Sequence, residues 1–362
     1  TTTTTTTTTR DVPEIEIGRW SRDVEAIRQD FGPPGREFFV IVPFGQEGLF
    51  SFIFYGGQNV SGPESRVEIR QDVYVYAQAG TAASWAPRQD LVLPFPGQSI
   101  LHIGMAAVYV RLLSVLYIHG GLFRYGTGDE ISGDLWKLEI LETSDGTSFG
   151  PWARSVLGPP RAFHAGVQRA GDLIWLLFGG IDLKGTVVNT LWEYDFVSEV
   201  WTELAPAPFP RAQHSAVWYG VRGGMIVTGG VNDLVLKQPP LQTMLYSPTL
   251  DQWQVLASLG PQGRSVAATV LNNRDLFAVA RSRDTDTALE TWAMDASNLV
   301  WGNVTANVGG QPRTRAGTQP KMITYTNSST PAQIDEALLV GVSEADPEKQ
   351  ERWMFSLAEV TA

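Results

Sequence analysis

Pro160-Arg161-Ala162-Phe163-His164 and Pro210-Arg211-Ala212-Gln213-His214 stand fifty residues apart, and each sets a cation and an imidazole just ahead of a strand-like run. Arg264 follows fifty-three residues later, Arg315 fifty-one beyond that, Arg36 opens the series, and Ser99 fills the place between Arg36 and Arg161. A guanidinium is a planar fork that meets a carboxylate through two parallel hydrogen bonds, so arginines gathered at one point would make a site for acidic groups. The same arginines could instead tie each loop to a neighbouring element through a carboxylate or a carbonyl. His102, His164 and His214 read as one position in three repeats. Together they could ligate a metal, whereas as structural residues each imidazole would bond a backbone carbonyl. Repetition accounts for them without a ligand, so no metal and no cofactor are expected.

Chemistry beyond binding finds little support. The chain has no cysteine, which removes disulfides, thiolate metal sites and cysteine nucleophiles. Neither a nucleophile with its base nor a pair of carboxylates stands at a telling spacing, and the expectation is that the chain is not an enzyme.

The elements that must position these residues are announced by glycine pairs. Gly56-Gly57, Gly120-Gly121, Gly179-Gly180 and Gly229-Gly230 each end an apolar run and precede an aromatic strand and a tryptophan. The apolar run is long enough for one buried strand, and the pair permits a turn closed to other residues. Leu173 to Trp201 is the clearest unit. Two further copies are worn: Leu276 to Ala280 leads to Trp292 and Trp301, and Ala337 to Gly341 leads to Trp353. That makes six units in 362 residues. Ten of the twelve tryptophans have places in the repeat: Trp20, Trp85, Trp152, Trp201, Trp253 and Trp301 on the outer strand, Trp136, Trp192, Trp292 and Trp353 on the third. With Trp175 and Trp218 in apolar strands, all are expected in the core rather than on a sugar-binding face.

This pattern of apolar run, double glycine, aromatic strand and tryptophan resembles the kelch-repeat family from Phe38 to the C-terminus. The resemblance implies an all-β fold, a six-bladed kelch-type β-propeller with four-stranded blades near 36–90, 99–156, 161–204, 211–256, 264–304 and 315–357. The last blade lacks an outer strand, and the segment 13–20, ending at Trp20, supplies one; closure of this kind leaves no open sheet edge. Residues 13–362 then form one domain behind a Thr-rich tail of residues 1–12. Arg36, Arg161, Arg211, Arg264 and Arg315 would approach one another around one mouth of the central channel, where the corresponding loops of some kelch-family adaptors bind acidic peptides. The copper-radical chemistry of the galactose oxidases, which share this platform, is excluded because it needs a cysteine. Long loops at 58–71, 123–133 and 142–151 are expected to carry recognition, and Ser21 to Asp30 has the spacing of a short helix.

Composition agrees: 43% hydrophobic and 18% charged residues, with 36 glycines and 22 prolines, suit many short strands and turns. A net charge of -11 argues against nucleic acid, and no run is long enough to be a membrane span. The partners expected are other protein subunits of a larger assembly, with glycans a further possibility. Three sequons, at Asn59, Asn303 and Asn327, fall in stretches read as loops and suggest an extracellular or cell-surface glycoprotein. Thr1, Thr2, Thr3, Thr4, Thr5, Thr6, Thr7, Thr8 and Thr9 form a tract resembling O-glycosylated stalks, and a start without Met fits a removed leader. Three functions follow: a structural or protein-interaction module outside the cell, a cytoplasmic adaptor for acidic peptides, and a carbohydrate-active enzyme on a propeller. Sugar mass on native protein separates the first two.

Overall fold

A computed structural model describes residues 18–22, 36–44, 51–59, 72–79, 82–93, 99–125, 128–143, 146–234, 242–261, 266–272, 275–281, 289–313, 320–327, 334–342 and 350–357. The described chain is all-β. After β1 (Gly18–Arg22) and β2 (Arg36–Glu37) comes a four-stranded antiparallel sheet of β3 (Val40–Phe44), β4 (Ser51–Tyr55), β6 (Val73–Ala79) and β7 (Ala82–Pro87), with β5 (Gln58–Asn59) paired to β2. A three-stranded sheet follows, of β8 (Ser99–Ile103), β11 (Leu122–Tyr125) and β12 (Gly128–Ile131). It flanks a sheet ordered β9 (Ala106–Val110), β10 (Val115–His119), β13 (Leu135–Thr143) and β14 (Gly146–Phe149), in which β15 (Ala153–Arg154) also pairs β13.

The next three sheets are simple meanders. They comprise β16 (Ala165–Gln168), β17 (Ile174–Phe178), β18 (Leu191–Asp195) and β19 (Val200–Leu204); β20 (Ser215–Tyr219), β21 (Gly224–Thr228), β22 (Gln242–Ser247) and β23 (Gln252–Leu259); and β24 (Ala267–Leu271), β25 (Asp275–Arg281), β26 (Leu289–Asp295) and β27 (Val300–Asn303). The last sheet runs β29 (Lys321–Asn327), β30 (Ile334–Val342), β31 (Gln350–Leu357), β1 and β28 (Val308–Gly309). Here β1 lies antiparallel to β31, from Gly18 opposite Leu357 to Arg22 opposite Trp353. Ser21 and Arg22 are therefore strand, not the start of a helix, because pairing with β31 overrides a weak local helical spacing; the rest of that segment lies outside the described residues.

A layer of buried apolar side chains separates each large sheet from the next. Val42, Ile53 and Val75 meet Leu116 and Leu138 between the first two, and Phe39, Ile41 and Phe54 meet Leu338 and Val340 between the first and last. Likewise the leading strand of each sheet contacts that of the next: β3 with β9, then β16, β20, β24 and β29, which returns to β3.

The glycine pairs turn where the inter-sheet contacts need them. Gly179 has φ 67° and Gly180 φ 82°, and a Cβ on Gly179 would collide with the carbonyl oxygen of Arg211 on the following unit. In the fifth unit β25 runs through Ala280 and Arg281 as strand instead. The excursions read as loops in the second unit are hairpins: β11 pairs β12, and β13 pairs β14. The sequon asparagines are the final residues of β5, β27 and β29 rather than loop residues; Asn303 is exposed, its Oδ1 accepting from the Thr305 amide and hydroxyl at 3.1 and 2.7 Å. The threonine tract lies outside the described residues.

Candidate functional site: the channel and its mouth

Immediately ahead of four leading strands the chain passes through a left-handed residue: Phe38 (φ 58°), Gly104 (68°), Phe163 (58°) and Gln213 (56°). These residues are joined sideways, since Gly104 N donates to Phe38 O at 3.2 Å, Phe163 N to Gly104 O at 2.6 Å and Gln213 N to Phe163 O at 2.9 Å. A partial belt of backbone hydrogen bonds thus runs around one end of the leading strands. Where the second unit has glycine, the neighbouring rings of Phe38 and Phe163 meet edge to face, their centroids 5.1 Å apart. Both are half-buried.

The belt fixes the register of the repeated polar residues. Two positions before it stand Arg36, His102, Arg161 and Arg211, so His102, and not Ser99, takes the arginine's place in the second unit. The side chains agree with this alignment. Arg36 Nη1 donates to Gly56 O at 3.1 Å, His102 Nε2 to Gly120 O at 2.9 Å and Arg211 Nη1 to Gly229 O at 2.9 Å, in each case to the first glycine of the residue's own unit. The backbone carbonyls at this position in the second, third and fourth units, meanwhile, reach the preceding unit: Gly57 N donates to His102 O, Gly121 N to Arg161 O and Gly180 N to Arg211 O. His102 and Arg211 thus each bond their own unit through the side chain and the preceding unit through the backbone. The carbonyl acceptor fixes the proton of His102 on Nε2, leaving Nδ1 to accept from the Tyr55 hydroxyl at 2.9 Å.

Arg36 and Arg211 are fully buried. Arg36 also forms a bidentate pair with Asp72 at 2.5 and 3.1 Å, and Arg211 Nη2 donates to the carbonyl of Gln242. Arg161 is partly buried and differs, donating to Pro160 O and to Thr190 Oγ1, both at 2.7 Å. Arg264 and Arg315 lie outside the described residues; they precede β24 and β29 by three and six positions, where Arg36, Arg161 and Arg211 precede their strands by four.

Such a bidentate pair, fully buried on the Arg36 side and partly buried on the Asp72 side, makes a firm prediction. Arg36→Ala should cost roughly 3–5 kcal/mol, because it leaves the Asp72 carboxylate and the Gly56 carbonyl without their donor. Asp72→Ala should cost a similar amount. The joint replacement Arg36→Met with Asp72→Leu should cost clearly less than the sum of the single losses, measured by denaturant unfolding; strict additivity would show that the pair is not coupled.

The leading strands surround a cavity of about 150 Å3 to which all six contribute, among them Val40, Ala107, Ala165, Ser215, Ala267 and Lys321. His164 and His214 line it, whereas His102 is held on β8 against Phe123, so the three histidines do not converge. No group of three or more potential metal ligands stands together among the described residues. His164 Nε2 lies 3.0 Å from His119 Nδ1 of the preceding unit. For His214 the corresponding neighbour is Phe178, whose ring packs 5.1 Å away and offers no hydrogen bond, and both ring nitrogens of His214 have no partner. Burial holds these imidazoles neutral: the pKa of His119 and of His214 is pushed down to about 3, and that of His164 lies well below its usual value.

Sequence reasoning matched histidine to histidine and so placed His102 three residues out of register. The available signal was Gly104, the residue free to take the left-handed conformation that Phe163 and Gln213 adopt.

Comparison with known proteins agrees with this geometry. The chain is 28% identical over 136 residues to Kelch domain-containing protein 10 of Bos taurus and of Homo sapiens, covering 36% of this chain and 30% of theirs. It is also 28% identical over 157 residues to Acyl-CoA-binding domain-containing protein 4 of Arabidopsis thaliana, covering 40% of this chain and 23% of that one. To alpha-scruin of Limulus polyphemus it is 28% identical over 152 residues, 41% of this chain and 15% of that protein. The matched stretch is thus less than a third of the length of each of these relatives. Residues 104–327, more than half of the chain, match the KLHDC2/KLHL20/DRC7 Kelch-repeats domain, and the chain belongs to that kelch-repeat family.

Proposed function

We propose that the chain is a non-catalytic, six-bladed kelch propeller, closed between β1 and β31, that binds a segment of a partner protein across the mouth bounded by the backbone belt. Support for the ring comes from the cycle of contacts among the leading strands and from the apolar layer between the first and last sheets. The observation that carries the binding reading is the Phe38–Phe163 pair, a half-exposed aromatic step on a backbone held by hydrogen bonds to its neighbours. A rigid aromatic surface binds with little loss of side-chain freedom. Beside it Arg161 hydrogen-bonds neutral oxygens, with Asp182 and Glu203 acting on it only without direct contact, which favours segments with an acidic residue near an apolar one.

Display of random peptides on the folded chain tests this. Enriched sequences should share an acidic and an apolar position, and Phe163→Ser and Arg161→Ala, assayed well below the melting temperature of each variant, should each weaken the best peptide at least about tenfold. No enrichment over a blank surface, or enrichment indifferent to both substitutions, counts against the reading.

An extracellular setting accompanies this proposal on the sequons and the threonine tract, and exposed Asn303 is the described acceptor that favours it. Sugar mass on native protein decides that point.

A further inference from the structure

Lys321 opens β29 and lines the channel cavity, yet it makes no hydrogen bond or ion pair with any described residue. Lys321 is half-buried, and a cation drawn partly out of water without a counter-charge favours an anion beside it. No carboxylate is available from the walls, because the cavity lining contains neither aspartate nor glutamate. The stretches just ahead of β24 and β29, residues 262–265 and 314–319, carry no acidic residue either.

Other groups reinforce the charge of Lys321. His164 feels Arg161 and Lys321, His214 feels Arg211 and Lys321, and every charge that acts on either imidazole is positive. In a chain of net charge -11 this channel is a local reversal of sign, and low-dielectric walls strengthen such a field. Donors are also at hand. Ser215 Oγ accepts from Ala268 N at 3.0 Å, so its own hydroxyl hydrogen can point to a ligand, and neutral His214 carries one ring N–H without an acceptor. The volume of about 150 Å3 has room for a small oxyanion and accompanying water.

We infer that the channel is a binding site for one small tetrahedral oxyanion of the phosphate class, held by Lys321 and Ser215 with His214 as a further donor. The site lies among the leading strands and is separate from the peptide surface proposed at the mouth, so either can fail without the other.

Inorganic phosphate is the probe, titrated calorimetrically at constant ionic strength against chloride. One phosphate per chain should bind, with a matching rise in melting temperature. Lys321→Met, which keeps the length of the stem, should lower the affinity at least about tenfold, and Ser215→Ala should lower it severalfold. In phosphate-free chloride Lys321→Met should melt at or above the wild-type temperature, since it removes an uncompensated cation. The inference is overturned if wild type takes up no stoichiometric phosphate, or if Lys321→Met binds it equally well. Should that variant not fold, wild-type uptake and the Ser215→Ala affinity still decide the matter.

Discussion

Acidification from pH 7 to about 4.5 is expected to unfold this chain or bring it close to unfolding. All four histidines are buried. Burial pushes the pKa of His102, His119 and His214 down to about 3, and that of His164 well below the ordinary value, His119 and nearby cations adding to the effect there. An unfolded chain has no such constraint, and its histidines take up protons near pH 6.5. Below that pH the unfolded state therefore binds more protons than the folded one. The stability these groups allow is complete above about pH 6.5 and is lost progressively as the pH falls towards 3. Each group loses about 1.4 kcal/mol per pH unit in that window. Two units below 6.5, four groups together lose on the order of 10 kcal/mol, comparable with the whole stability of an ordinary domain.

Denaturant unfolding at closely spaced pH values checks this. The slope of stability against pH should approach that of four protons between pH 6 and 4.5. His214→Phe should remove one proton from the slope and cost little at pH 7, since neither ring nitrogen has a partner to lose. A slope of less than one proton would mean that the imidazoles already reach water in the folded chain.

What could be read from the sequence follows what is local. Gly179-Gly180 announces its turn because the positive φ and the nearby carbonyl admit no side chain, and Leu173 to Phe178 announces its strand by being apolar without interruption. Tryptophans on outer and third strands were legible for the same reason: Trp201 lies opposite Tyr194 and Trp292 opposite Asn303 within simple meanders. Features that depend on another unit were hidden. Nothing near Arg36 in the chain says that its partner is Asp72, thirty-six residues away. The hairpins of the second unit gain their order from pairing partners, β8 for β11 and β13 for β14, rather than from any alternation of their own. Lys321 was silent because a lysine ahead of an apolar run looks like any surface residue, and only the meeting of six strands turns it inward.

The pairing of the two chain ends makes the remaining large prediction. Removal of residues 1–22 deletes β1 and leaves β31 with an open edge along Trp353 to Leu357. It also removes the parallel contacts of Gly18 with Val308 and Arg19 with Gly309, which tie β28 into the same sheet. At about 1 kcal/mol net for each ladder hydrogen bond, the loss is roughly 3–5 kcal/mol before any side-chain packing is counted. The exposed edge brings a second consequence, because a row of unpaired amides and carbonyls is a template for another chain. The truncated protein should melt roughly 10 °C lower and elute partly as dimers and larger species. A synthetic peptide of residues 13–24, added in excess, should restore both properties by re-forming the strand in trans, and a peptide with proline at Arg19 and Ser21 should not, since proline cannot donate to the ladder. If the truncated chain stays monomeric and melts with the intact one, β1 adds nothing to the last sheet, and the fold owes its stability to the apolar layers between sheets.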